Sequence, residues 1–218
     1  MKGMINVKVV PKIFGWMFLG LLVTFVTGFI LSMSPYAVNN VLSSLGGFGI
    51  ILLAIIEIGL VIFLSARINK MSPLTAKICF LIYSFVTGFT FSVIFIAYDM
   101  QNIIFTFLIA AVVFALFALI GMTTKKDLTK LGTYLFMILL AVIICLIVNI
   151  FMQNSTFDLI ISIVMVLIFF GFTAYDMQTT LKMQGMMEED NLAIYGALNL
   201  YLDFINIFLN LLDIFNRD

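Results

Sequence analysis

Hydrophobic residues in this chain neither alternate nor fall into narrow stripes. They come in long unbroken runs, cut by short polar breaks. About 20 consecutive apolar residues in a helix cross a hydrocarbon core of about 30 Å. Seven runs approach or exceed that length: Ile13 to Met33, Phe48 to Ala66, Thr75 to Tyr98, Ile103 to Met122, Leu131 to Met152, Phe157 to Thr180 and Leu192 to Phe215. Turn formers stand between them, at Ser34-Pro35, Met71-Ser72-Pro73, Thr123 to Lys130 and Gln153-Asn154-Ser155. The pattern predicts an all-α membrane protein, one domain of seven transmembrane helices over residues 1–218, with no soluble module, linker or low-complexity segment. The first run is long enough to span and is not closed by a small-residue cleavage pattern, so it reads as the first helix rather than as a signal peptide.

Composition agrees. A chain 64% hydrophobic and 10% charged cannot cover a water-facing surface, which makes the lipid bilayer its solvent. Basic and acidic residues are equal in number, and no basic patch is interleaved with aromatics, so no nucleic-acid partner is expected. Cys79 and Cys145 lie within apolar runs and read as buried free thiols.

Short loops rich in Lys and Arg stay on the cytoplasmic side. Lys2, Lys8 and Lys12 precede or open the first run; Arg67, Lys70 and Lys77 flank the second break; Lys125, Lys126 and Lys130 fill the fourth; Lys182 lies in the sixth. Arg217 falls on the other side. The count predicts a cytoplasmic N-terminus and an outer C-terminus, and a chain rich in Ile, Asn and Met suggests a bacterial plasma membrane or, alternatively, that of the endoplasmic reticulum.

The pentapeptide AYDMQ occurs twice, at Ala97 to Gln101 and at Ala174 to Gln178. An old duplication and chance explain the repeat equally well. The first copy ends the third run at the outer side, so Asp99 reads as a solvated residue in a tight turn over Asp99 to Asn102. Past the second copy the apolar run continues to Leu181, which puts Asp176 a turn or two inside the cytoplasmic interface. An intramembrane carboxylate costs about 2.5–3.5 kcal/mol and calls for a partner.

The last run holds candidates. Asn199, Asp203, Asn206, Asn210 and Asp213 follow one another at steps of four, three, four and three. At about 100° per residue they fall within an arc of about 80° along roughly 21 Å of helix. Such a stripe either glues the helix into a bundle through amide hydrogen bonds or lines a path for water or a cation. For Asp203, near mid-membrane, the second reading is favoured. Arg67 ends the second run at the depth of Asp176, close enough for an ion pair, or it is an ordinary positive-inside anchor. Glu57 lies about 15 Å deeper, level with Asp203, and a purely lipid-facing position for it is improbable.

Gly88-Phe89-Thr90-Phe91-Ser92, Tyr175-Asp176 followed by Gln178, and Ala197-Leu198 with Leu200-Tyr201-Leu202-Asp203-Phe204 and Asn206 resemble the transmembrane Bax inhibitor motif family. The resemblance extends over the whole chain. It implies a seven-helix membrane protein with the last helix central in a bundle of the other six. It also implies a pH-sensitive calcium leak through an aspartate pair, here Asp176 and Asp203, with Arg67 as the latch on Asp176. The pair is expected to titrate as a coupled unit. Two positions depart from the family pattern. Met177 stands where a threonine is usual, and Asn216-Arg217-Asp218 lacks the basic cluster of some animal members, so tail-mediated regulation is not expected.

The donor set suits a hard cation. There is no histidine and the two cysteines are far apart in sequence, whereas carboxylates and amide oxygens are plentiful. A leak needs weak successive oxygen sites, and Glu57, Asn199, Asp203, Asn206, Asn210 and Asp213 are the expected ion path, with Asp176 and Asp203 as a weak calcium site. The expected small partners are calcium ions and protons. No cofactor is expected, and the sequence indicates no protein partner. One alternative is a non-conducting regulator that acts by protein binding. Another is an intramembrane aspartyl protease, but Leu200-Tyr201-Leu202 precedes Asp203 where that family carries Gly-x-Gly, and Pro-Ala-Leu is missing. A retinal-binding pump would need a lysine inside the last helix, and none is there. The protein is therefore expected not to be an enzyme.

Overall fold

The computed structural model describes residues 8–34, 36 and 49–217. Lys2, Pro35, Phe48 and Asp218 lie outside the described residues. A helix covers each predicted run: α1 (Val9–Ser32), α2 (Gly49–Arg67), α3 (Pro73–Ala97), α4 (Met100–Thr123), α5 (Thr129–Met152), α6 (Ser155–Lys182) and α7 (Glu189–Phe215). Among the described residues there is no β-strand, and six helices, α1 and α3 to α7, are long and apolar enough to cross a membrane. The protein is an all-helical membrane protein.

The breaks are built by the residues that marked them. Ser72 caps α3, its Oγ accepting from the Thr75 amide at 3.2 Å, and Pro73 occupies the first turn where no amide is needed. Gln153 closes α5 in the left-handed region at φ 50°, and Asn154 opens α6 by accepting from the Phe157 amide at 2.9 Å. Glu189 and Asp190 start α7, where the helix dipole favours negative charge. The turn after α3 is shorter than expected: Asp99 is exposed there, but Met100, Gln101 and Asn102 already belong to α4. Cys79 and Cys145 are free but half-buried rather than buried.

Burial follows the logic of a lipid solvent. Of the best 18-residue windows, α7 has the lowest mean hydropathy, 1.6, and is 72% buried, whereas the other five are 17–44% buried. Where the surroundings are apolar, the least apolar helix is the one that gains from being covered.

The helices group into two compact units. The first comprises residues 1–100 and 183–198. In it α1 and α3 meet through small residues: a Cβ on Gly20 would come within 2.6 Å of the Phe80 ring, and one on Gly88 within 2.5 Å of Thr27 Cβ. Thr24 Oγ1 donates to Ser84 O at 2.9 Å across the same seam. Lys12 pairs with Glu189 at 2.8 Å and Lys77 with Asp190 at 2.6 Å, while Asn191 Nδ2 donates to Ile68 O and Met71 O, both at 3.0 Å. These bonds fix the start of α7 against α1, α3 and the chain that follows α2.

The second unit comprises residues 101–182 and 199–218. Phe204 of α7 packs edge-on against Phe107 and Phe114 of α4, with centroids 5.2 and 5.6 Å apart. Gly121 of α4 lies on the Ala174 backbone, and a Cβ on Gly132 of α5 would come within 2.5 Å of the Tyr175 ring. Two glycines on two helices thus seat the turn of α6 that carries Asp176.

Candidate functional site

Asp176 and Asp203 come from helices that lie side by side. At one end of the α6–α7 seam Ser162 Oγ donates to Asp213 at 2.6 Å, and Arg217 pairs with Asp158 at 2.5 Å. Along that antiparallel seam lie Asp176, half-buried, and Asp203, 3% exposed. Among the described residues Oδ2 of Asp203 is buried with no hydrogen-bond partner. An unmatched carboxylate oxygen in a dry interior is costly, and a proton, water or cation would each relieve it.

The two AYDMQ copies differ in every side chain that matters. Asp99 and Gln101 are exposed. In the second copy Met177 is fully buried and Gln178 is 7% exposed. Gln178 Oε1 accepts from the Leu128 amide at 2.9 Å and its Nε2 donates to Lys126 O at 2.8 Å, so it holds the α4–α5 loop from beneath. In that loop Asp127 pairs with Lys182 at 2.6 Å and accepts from the Thr129 hydroxyl at 2.7 Å and amide at 3.1 Å, and these contacts hold its carboxyl well below the usual carboxylate range.

The polar stripe of α7 divides. Asn206 Nδ2 donates to Leu202 O and Asn210 Nδ2 to Asn206 O, each at 2.8 Å, so these amides bond their own helix rather than a neighbour. Their Oδ1 atoms, and the half-buried Asn199, remain as the acceptors of the stripe. Asp213 is bound by Ser162 and by Arg217, whose guanidinium also donates to Asp158 and to Ser155 O, each at 2.5 Å. That end of the stripe is an ion-pair network.

Glu57 and Arg67 belong to the first unit. Glu57 is half-buried and accepts from Thr90 Oγ1 of α3 at 2.5 Å. It does not face lipid unpartnered. Arg67 is the exposed last residue of α2. Among the described residues no three His, Cys, Asp or Glu side chains form a metal-holding group. Sequence alone assigned no individual role to Thr90, Gln178, Arg217 or the buried Thr180. Thr90 and Gln178 stand inside the family-like motifs, but only their neighbours across the helix seams give them work.

A family described as inhibitor of apoptosis-promoting Bax1 matches residues 6–218. The chain belongs to the Bax inhibitor family. Among its relatives, an uncharacterized protein of Borreliella burgdorferi is 42% identical over 214 residues, covering 96% of this chain and 91% of its own. The inner membrane protein YbhL of Escherichia coli K12 is 39% identical over 215 residues, covering 94% and 90%. An uncharacterized membrane protein of Streptococcus pyogenes serotype M1 is 39% identical over 168 residues, covering 76% and 73%. Membership of the Bax inhibitor family agrees with the resemblance carried by the motifs around Asp176 and Asp203.

Proposed function

We propose that this chain is a pH-sensitive calcium leak protein with seven spans. Its last helix is the axis of the other six, and its N-terminus lies in the cytoplasm of a bacterial cell. The observation that carries the reading is the carboxylate pair on the α6–α7 seam, with one buried oxygen of Asp203 unmatched. The high burial of α7 and the half-buried Asn199 support a polar path along that helix.

Two ionised carboxylates in a poorly solvated seam repel each other, and a cation or a proton relieves the repulsion. When Asp176 is charged, Arg67 is its latch and draws the end of α2 over the cytoplasmic mouth. Acid neutralises Asp176, Arg67 loses its counter-charge, and the mouth opens as a two-state equilibrium driven by proton uptake. Successive weak oxygen sites then let calcium pass without trapping it.

The test is calcium flux into liposomes holding purified protein, measured across pH. Flux is expected to rise on acidification, and Arg67→Ala should conduct at alkaline pH with a flatter profile. Absence of calcium flux in the parent at every pH would refute the leak. An unchanged pH profile in Arg67→Ala would refute the latch alone.

A further inference from the structure

The polar stripe of α7 has one more member. A step of four beyond Asp213, continuing the spacing of four, three, four and three, reaches Arg217. Arg217 lies 18 residues beyond Asn199. That is about five full turns at about 100° per residue, so the arginine continues the face on which the stripe begins. The α-helix ends at Phe215, but Asn216 Nδ2 still donates to Leu212 O at 2.7 Å and Arg217 bonds Asp213 four residues back, so the chain keeps its course past the last helical turn. A cationic side chain therefore terminates a row of carboxylates and amides.

Its guanidinium bridges the two helices that carry the aspartate pair. The Arg217 side chain is 22% exposed and donates to Ser155 O and to Asp158, each at 2.5 Å, and to Asp213. Asp213 also accepts from Ser162 Oγ at 2.6 Å, and Asp158 from Asn149 Nδ2 at 3.3 Å. One cation thus serves two carboxylates and a carbonyl at the end of the α6–α7 seam, all within the second unit. Among the described residues its Nε is buried with no partner. An arginine placed only for solvation would keep that donor in water.

As a staple of helix ends the network has little to offer, because exposed ion pairs add little to stability, and the Asp158 and Asp213 side chains are 42% and 37% exposed. As a charge at the end of an ion path it matters more, since charged side chains at a mouth set which ions enter. Resting on the leak reading above, we propose that Arg217 is the outer plug of the polar path: its guanidinium sits as a tethered cation on Asp158, Asp213 and Ser155 O and holds back calcium at the Asp213 end of the stripe. Arginine keeps its charge across the physiological range. The plug therefore sets the size of the flux and leaves its pH profile to the latch.

The test is calcium flux into liposomes at the pH of greatest parental flux, with thermal midpoints in detergent as the check on folding. The proteins are the parent, Arg217→Gln, Arg217→Lys and the double variant Asp158→Asn with Asp213→Asn. A unit charge about 5 Å from a divalent cation in water changes its local concentration about fivefold at about 0.15 M salt and by less than about twofold at about 1 M. Arg217→Gln should therefore conduct about fivefold faster than the parent at the lower salt, lose most of that gain at the higher, and keep the parental pH profile. Arg217→Lys keeps the charge and should stay within about twofold of the parent. The double variant leaves the arginine uncompensated and should conduct more slowly than the parent, by about fivefold or more. A mere staple would respond alike to being broken from either side. Flux at or above the parental value in the double variant therefore overturns the inference, even where Arg217→Gln does not fold. Parental flux in Arg217→Gln also overturns it and leaves the leak standing. A parent without flux at any pH overturns the leak and this inference together.

Discussion

Replacing Gly121 by alanine tests how the aspartate-bearing turn is seated. The added Cβ would lie 2.9 Å from both C and Cα of Ala174, and closer still to its carbonyl oxygen. Those are backbone atoms of α6 and cannot rotate aside, so α4 and α6 must part by a large fraction of an ångström. Overpacking of this kind costs about 1–3 kcal/mol. The gain from alanine over glycine in a helix, about 0.8–1 kcal/mol, offsets part of it. The net expectation is a loss of up to about 2 kcal/mol, a factor of up to roughly 30 in the folded-to-unfolded ratio. Equilibrium unfolding in mixed detergent micelles reads the loss directly. Gly59→Ala is the control, because nothing lies within 4 Å of a Cβ there and the same propensity gain stands alone. Gly59→Ala should therefore be neutral or stabilising by up to about 1 kcal/mol. Because the moved carbonyl belongs to the turn before Tyr175 and Asp176, Gly121→Ala should also change calcium flux. A Gly121→Ala protein as stable as Gly59→Ala, with parental flux, would show that the α4–α6 contact does not seat the site.

Asp203→Asn should sharply reduce or deregulate calcium flux while Asp99→Asn does little, since one carboxylate is buried on the seam and the other is exposed in a turn; equal effects would refute the assignment. Gln178→Ala should destabilise by about 1–3 kcal/mol, because it leaves the Leu128 amide and the Lys126 carbonyl without their partner, whereas Gln101→Ala should be silent in the same melt. Asp127 contributes stability above its ordinary pKa of about 3.9 and loses it as pH falls through its depressed folded value, so it stays charged at every pH near neutrality. Asp127→Asn should therefore leave the pH profile of flux between about pH 6 and pH 8 unchanged, and a shifted midpoint would place a pH sensor in the α4–α5 loop.

The positions of the helices follow from sequence alone. In lipid every backbone polar group must be satisfied within its own segment, so an apolar run of sufficient length is a helix whatever its neighbours are. The turn residues Ser72-Pro73 and Gln153-Asn154 act locally, which is why the breaks around them were legible. The exposure of Asp99, the burial of Asp203 and the family were legible too, from a polar residue in a turn, a carboxylate on a stripe and a linear motif. Pairing was not. Whether an asparagine of α7 bonds a neighbouring helix or its own carbonyl depends on rotamer and on what lies across the seam, and Asn206 and Asn210 chose their own helix. Gln101 and Gln178 sit in identical pentapeptides, and only packing makes one an exposed residue and the other the support of a loop. Thr90 became the partner of Glu57, and Thr180 a buried, unmatched hydroxyl, through the register in which helices meet. That register is set by shape, by glycines such as Gly121 and Gly132 against the backbone and ring opposite them, and shape complementarity between distant segments leaves no periodicity in a chain whose lipid-facing surface is as apolar as its core.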